Sequence, residues 1–140
     1  MECVFCRIGE KEIPSDIVYE DDYVLAALDI HPIAPGHTIV IPKNHLSVIT
    51  DFSDEDIGPF FRDVKRVTMI LEKALSPHGF TIGINHGEKA GQAIPHFHLH
   101  IVPRWEDDGG GSIHSVVRNV PRESLSDIFQ KIRAVKVDIL

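Results

Sequence analysis

The sequence predicts an α+β chain in which an antiparallel sheet carries one long helix and a shorter C-terminal helix. Three observations carry that expectation. Short β-type runs alternate with turn residues, apolar residues recur every three and four positions from Ile57 to Leu75, and the run from His96 to Ile101 alternates strictly. With 140 residues, 43% of them hydrophobic, the chain is large enough for a single core, so one domain over residues 1–140 is expected.

Taken in order, Ile17–Glu20 and Tyr23–Asp29 are β-type runs flanking the acidic pair Asp21-Asp22, a hairpin pattern. Pro32-Ile33-Ala34-Pro35-Gly36 follows, where prolines and a glycine exclude regular structure and prescribe a bend. A third strand covers His37–Ile41 and stops at Pro42. Ser53 before Asp54, Glu55 and Asp56 supplies the capping oxygen and first-turn acids of a helix start. Ile57, Phe60, Val64, Val67, Leu71 and Leu75 then share one helical face, ending near Ser76-Pro77. Gly58-Pro59 should kink that helix or delay its first turn, because proline lacks the N–H an interior turn needs. Phe80–Asn85 and Phe97–Arg104 read as the remaining strands. Ser124–Val135, with Leu125, Ile128, Phe129 and Ile132 at helical spacing, reads as the C-terminal helix. Asp107–Gly111 has the composition of a flexible loop, and no internal repeat is present.

Composition narrows the function classes. The longest apolar stretches, Val24–Leu28 and Thr38–Ile41, fall far short of the roughly 20 residues a membrane helix needs, so no membrane partner is expected. The first residues lack the basic start and apolar stretch of a secretory signal, which implies a cytoplasmic location and reduced thiols. A net charge of −7 without a lysine–arginine cluster argues against a nucleic-acid partner. A small phosphate ester is still admissible, because imidazoles and backbone amides act at contact range while distant surface charge is screened.

In a strand, successive side chains point to opposite faces, so His96, His98 and His100 form a row on one side and Phe97, Leu99 and Ile101 on the other. Alternate residues lie about 6.6 to 6.8 Å apart, so neighbouring rings reach different parts of one phosphate-sized group. Neutral imidazole is a nucleophile, and a protonated neighbour stabilises charge on phosphoryl oxygens. The same spacing also supplies metal ligands, or simply polar residues on a wet strand face. The loop Asn85–Ala93 enters this strand with two glycines and offers backbone N–H groups to an anion.

The surrounding blocks carry a resemblance. His96-Phe97-His98-Leu99-His100-Ile101-Val102 matches the signature His-φ-His-φ-His-φ-φ, with φ apolar. The match extends from Cys3-Val4-Phe5-Cys6 through Leu28-Asp29-Ile30, Pro35-Gly36-His37, Ile41-Pro42-Lys43-Asn44-His45 and Gly91-Gln92 to Pro103-Arg104-Trp105. The chain thus resembles the histidine triad (HIT) family, and a HIT-like fold is expected.

That resemblance implies a nucleotide hydrolase or nucleotidyl transferase acting at the α-phosphate of a purine nucleotide conjugate, a phosphoramidate or a dinucleoside polyphosphate. A nucleotide-binding regulatory protein with slow or vestigial catalysis is the alternative. His98 takes the nucleophile's place and forms a nucleotidyl-histidine, splitting one hard displacement into two easier ones. His100 and His37 fall where the family contacts the phosphate and assists the leaving group. Asp29 falls where ribose hydroxyls are held. Asn85 and Gln92 fall where polar groups orient the phosphate or the catalytic histidine, and Gly91 where backbone approaches ligand. Ala93 departs from the pattern, since many members carry a hydroxyl there, so leaving-group preference should differ. Trp105 resembles the dinucleoside polyphosphate branch, while the Cys–His zinc set and overall spacing resemble the general nucleotidyl hydrolase branch, so the resemblance leaves the substrate open.

Cys3 and Cys6 form a Cys-x-x-Cys pair, which reduced proteins use for metal or redox work. In many microbial members a similar pair binds structural zinc with two histidines, and the matching positions are Cys3, Cys6, His45 and His96. Four such ligands close a tetrahedral shell and leave no position for water activation, so the implied zinc is structural. The resemblance also implies a homodimer.

Overall fold

The computed structural model describes residues 3–137 and divides the chain into two compact units, one up to Gly110 and one from Gly111 onward. In the first unit, β1 (Ile17–Glu20), β2 (Val24–Leu28), β3 (Thr38–Pro42), β4 (Gly79–Gly83) and β5 (Leu99–Arg104) form a sheet of order β1-β2-β3-β5-β4. Every neighbouring pair is antiparallel, as the sequence predicts.

The two faces of this sheet are buried differently, and the pleat decides which residue goes where. Val24, Ala26, Val40, Leu99 and Ile101 face the long helix α2 (Asp54–Leu75) and meet Phe60, Val64, Val67 and Leu71. Phe97 joins them; of the expected α2 stripe, Phe60, Val64, Val67 and Leu71 are core, while Ile57 is half-buried and Leu75 exposed. Leu25, Ala27, Ile39 and Ile41 point the other way and pack with Phe5 of a short helix α1 (Val4–Gly9). Each fully buried aliphatic or aromatic side chain contributes about 1.5 to 3 kcal/mol.

Helix α2 starts where expected. Ser53 Oγ accepts from Asp56 N–H at 3.1 Å, and the helix stops at Ser76, in left-handed conformation (φ 48°), before Pro77. The expected delay at Gly58-Pro59 does not occur: the helix runs from Asp54 through Pro59. Glu55, whose carbonyl loses its partner to the proline, is exposed, so water can take that bond. Asp63 ties α2 to the β1–β2 hairpin. It is fully buried, its Oδ1 accepting from Arg62 Nε at 3.1 Å and from Arg66 at 3.3 Å. Burial and the Asp21 carboxylate beside it raise its pKa. Burial would also raise Asp21, but hydrogen bonds from Asp63, the Tyr23 and Val24 amides and Tyr19 bring it down to about 2. The pKa values of the two carboxyls thus shift apart, Asp63 upward and Asp21 downward.

Two strand ends differ from expectation by two residues. β5 begins at Leu99, not Phe97, and β4 ends at Gly83, two residues before Asn85. Helix α1 lies in a segment whose sequence suggested only ligands. In the second unit, α3 (Leu125–Arg133) sits inside the expected range, with Ser124 accepting from Asp127 N–H at 3.1 Å. Its residues Leu125, Phe129 and Ile132 are exposed.

Candidate active site and metal centre

The face of the sheet opposite α2 carries two clusters of nitrogen, oxygen and sulfur donors. In the first, Cys3 and Cys6 project from the start of α1 toward His45, just past β3, and His96. Cys3 Sγ lies 3.3 Å from His96 Nδ1, Cys6 Sγ 3.3 Å from His45 Nδ1 and 3.5 Å from His96 Nδ1, and the two Nδ1 atoms are 3.1 Å apart. These separations are close to the edges of a tetrahedron with metal–sulfur bonds near 2.3 Å and metal–nitrogen bonds near 2.0 to 2.1 Å. The second ring nitrogen of His96 supplies an independent check. His96 Nε2 is 2.9 Å from the carbonyl of Pro42, which only accepts, so Nε2 carries the proton and Nδ1 is free to ligate. The donor set therefore fits a closed divalent site. Without a cation, burial and then the adjoining Cys3 sulfur push the Cys6 thiol up to about 11.

The second cluster lines a cavity of about 400 Å³. One end holds Asp29, His37, His98 and His100, and Asn85, Gly91 and Ala93 lie on its wall. The other walls are apolar: Val4, Phe5 and Ile8 from α1, with Leu28, Ile30, Ile39 and Ile94. Phe5 touches both clusters, its ring 5.8 Å from that of His96 and 5.1 Å from that of His98.

Backbone partners fix the ring nitrogens. His98 Nδ1 lies 2.9 Å from the carbonyl of His96, so Nδ1 carries the proton and Nε2 keeps its lone pair. His98 is 9% exposed, which ends the reading of these imidazoles as a wet strand face. His37 Nε2 is 2.9 Å from His100 Nδ1, and Asp29 Oδ2 lies 3.4 Å from the former and 3.8 Å from the latter. Burial lowers the pKa of His37, with Asp29 opposing. Burial, then the charges of His98 and His37, lower His100 to about 4 against the pull of Asp29. Both rings are neutral near pH 7.

Turn chemistry delivers these groups. Gly36 precedes His37 at φ +81°, and a Cβ there would lie 2.3 Å from Leu75 Cδ1, so glycine suits both the backbone and the space. Asp29 closes the turn after β2, with Oδ1 accepting from His31 N–H at 2.9 Å, which leaves Oδ2 toward the imidazoles.

Gln92 is the expected site residue that does not line the cavity. Its amide donates to the Ser47 and Ile94 carbonyls at 2.8 and 3.1 Å and accepts from Gly87 N–H at 2.9 Å, bracing the glycine loop. Trp105 also lies outside the cavity, beside His78 and Arg104. Conversely, Phe5, Ile8 and Ile94 were not singled out by the sequence. Val4, Phe5 and Ile8, at helical spacing around the cysteines, are the signal that could have found them.

A sheet with one face covered by a long helix and the other holding a row of histidines at a cavity of about 400 Å³ defines an α+β domain with a polar site on one face. The HIT domain model matches residues 10–107, and the chain belongs to the HIT family. It is 40% identical over 131 residues to an uncharacterised HIT-like protein of Methanocaldococcus jannaschii, covering 94% of this chain and 98% of that one. It is 36% identical over 107 residues to an adenylylsulfatase of Arabidopsis thaliana, covering 76% of this chain and 54% of that one. The crystal structure of a HIT family member from Bacillus subtilis superposes with a TM-score of 0.85 at 36% identity, covering 99% of both chains.

Proposed function

We propose that this chain is a hydrolase or nucleotidyl transferase that breaks a bond at the α-phosphate of a purine nucleotide conjugate through a nucleotidyl-His98 intermediate. The observation that carries this reading is the orientation of His98, whose Nδ1–H is spent on the His96 carbonyl while Nε2 keeps its lone pair at the cavity. Nε2 bonds to phosphorus, the bond to the leaving group breaks, and its electron pair departs with that group. Water then bonds to phosphorus, the P–N pair returns to Nε2, and the surplus proton of water passes to solvent. The Nε2–H of His100 donates a hydrogen bond to the phosphoryl oxygens. Asn85 and the backbone at Gly91 border the phosphate, Asp29 Oδ2 faces ribose hydroxyls, and the apolar walls receive the flat base. The Arabidopsis relative is named for acting on adenylyl sulfate, a conjugate of this kind.

Cys3, Cys6, His45 and His96 would hold structural zinc, which when bound cross-links α1 to the sheet and supplies no open position for chemistry. Among the described residues no helix is long and apolar enough to cross a membrane, in keeping with a cytoplasmic protein. Exposed Phe61, Met69, Ile70 and Leu75 on α2, with Ile82 on edge strand β4, support a homodimer. Light scattering on the eluted protein tests it, a monomer at micromolar concentration being the contrary result.

The catalytic reading is tested by replacing His98 with Ala and Asn. Turnover of adenylyl conjugates should vanish while the fold and AMP binding persist. Substantial residual turnover refutes the nucleophile, and a wild type that binds but never turns over points to the regulatory alternative.

A further inference from the structure

Helix α1 serves both clusters at once. Cys3 and Cys6 turn toward His45 and His96, with Sγ–Nδ1 separations of 3.3 to 3.5 Å, while Val4, Phe5 and Ile8 line the cavity. The Phe5 ring bridges the two, edge-on to His96 and to His98.

This helix is poorly equipped to stand alone. It has six residues, its N-cap Cys3 makes no side-chain capping bond, and its first turn carries no acid. A helix so short gains too few hydrogen bonds to offset its nucleation, so tertiary contacts must hold it. Phe5 and Ile8 supply part of this hold by packing with Leu25, Ala27, Ile39 and Ile41. The sulfurs add little as thiols, which are weak hydrogen-bonding groups, but as metal ligands one turn apart they would pin the helix to the sheet.

The sheet side of the metal cluster needs no such help. His96 is held through its Nε2 and the Pro42 carbonyl, and Phe97 N–H donates to the Leu46 carbonyl at 2.7 Å, bracing the segment after His45. His98 is oriented by the His96 carbonyl and not by α1. Loss of a cation therefore leaves the imidazoles in place and loosens the wall made by Val4, Phe5 and Ile8.

Resting on the reading above that this cavity takes a nucleotide, we infer that α1 couples the two clusters: a divalent cation held by Cys3, Cys6, His45 and His96 fixes the base-binding wall, so that cation and nucleotide each tighten the other's binding. Val4, Phe5 and Ile8 are positioning residues that carry this coupling. Linkage makes it reciprocal, because the factor by which the cation raises nucleotide affinity must equal the factor by which the nucleotide raises cation affinity.

The test titrates AMP into the full chain with zinc bound and after chelation, circular dichroism monitoring the fold of both forms. AMP should bind the zinc form at least about fivefold more tightly, and saturating AMP should raise zinc affinity, read by chelator competition, by the same factor. Chelation should speed hydrogen exchange at the Arg7 and Glu10 amides, which donate to the Cys3 and Cys6 carbonyls at 3.1 and 2.9 Å, but not in β3. Ile8→Ala, which trims the α1 wall, should shrink the coupling factor. Ile30→Ala, a cavity residue outside α1, should weaken AMP binding in both forms and leave the factor unchanged. AMP affinity that chelation does not change overturns the inference while the nucleotide reading stands, and AMP binding to neither form overturns both. A factor that falls as far with Ile30→Ala as with Ile8→Ala also overturns it. So does a zinc-free chain without its fold, since the cation would then hold the domain and not α1.

Discussion

His96 and His98 stand two residues apart on one side of the same segment, yet they present opposite ring nitrogens. His96 gives its Nε2–H to the Pro42 carbonyl and turns Nδ1 toward Cys3, Cys6 and His45. His98 gives its Nδ1–H to the His96 carbonyl and keeps Nε2 for the cavity. The two corners differ for the same reason. At one, four donors converge and close a shell; at the other, Asp29, His37, His98 and His100 line one end of a cavity whose remaining walls are apolar. Residue type and spacing are equal, so the backbone carbonyl each ring meets decides which nitrogen it presents, Nδ1 of His96 to the cysteines and Nε2 of His98 to the cavity.

The comparison breaks most visibly at His98. His98→Ala should lower kcat by at least about 10³-fold, since losing a covalent nucleophile leaves only binding and electrostatic assistance. Pre-steady-state and steady-state rates with an adenylyl conjugate measure it. His96→Ala should act differently, removing metal first and activity only in proportion to the fold lost.

Next in size is the sulfur side of the metal corner. Replacing Cys3 and Cys6 together by Ser should abolish stoichiometric zinc and lower Tm by about 5 °C or more, read by elemental analysis and calorimetry. Because the Cys6 thiol stands at about 11 without a cation, zinc binding at pH 7 must release its proton. Titration calorimetry in buffers of different ionisation enthalpy should show about one proton or more released per metal, whereas none would place the cation elsewhere.

The imidazole cluster at the cavity has its own pH signature. His100 drops from its ordinary 6.5 to about 4 on folding, so the unfolded chain binds more protons between those values and stability falls as pH falls through that window. The loss amounts to roughly 3 kcal/mol, and His100→Asn should flatten that part of a chemical-denaturation profile. An unchanged profile would mean that the folded ring titrates normally.

These corners were unequally legible in the sequence. The alternation of His96, His98 and His100, the Cys-x-x-Cys pair and the α2 stripe follow from spacing alone, because pleat and helix periods translate directly into faces. The engagement of His37 does not, since it depends on where the Ile33 amide points within an irregular bend. Gln92 was placed near the phosphate by resemblance, while its hydrogen bonds go to Ser47, Ile94 and Gly87 across a loop that periodicity does not describe. The wall formed by α1 escaped notice because a six-residue helix is too short for a convincing pattern. Pro59 misled, because its cost falls on an exposed carbonyl near the helix start.

The smallest expected effect is a control remote from both corners. Asp63→Asn keeps an oxygen for Arg62 and Arg66 and should change stability by less than about 1 kcal/mol, whereas Asp63→Ala should cost roughly 1 to 3 kcal/mol by stranding them. Neither should alter zinc content or turnover per folded molecule, as urea unfolding and activity assays would show.

The central claim, that His98 rather than a metal or a water molecule attacks phosphorus, is tested most directly by acid-free quenching and peptide mapping after mixing with adenosine 5′-phosphosulfate labelled in the adenylyl group. The account expects one acid-labile adenylyl per active chain on the peptide containing His98, absent from His98→Ala and retained after zinc chelation under conditions that leave the domain folded. Full turnover with no label on His98 at any quench time would contradict it.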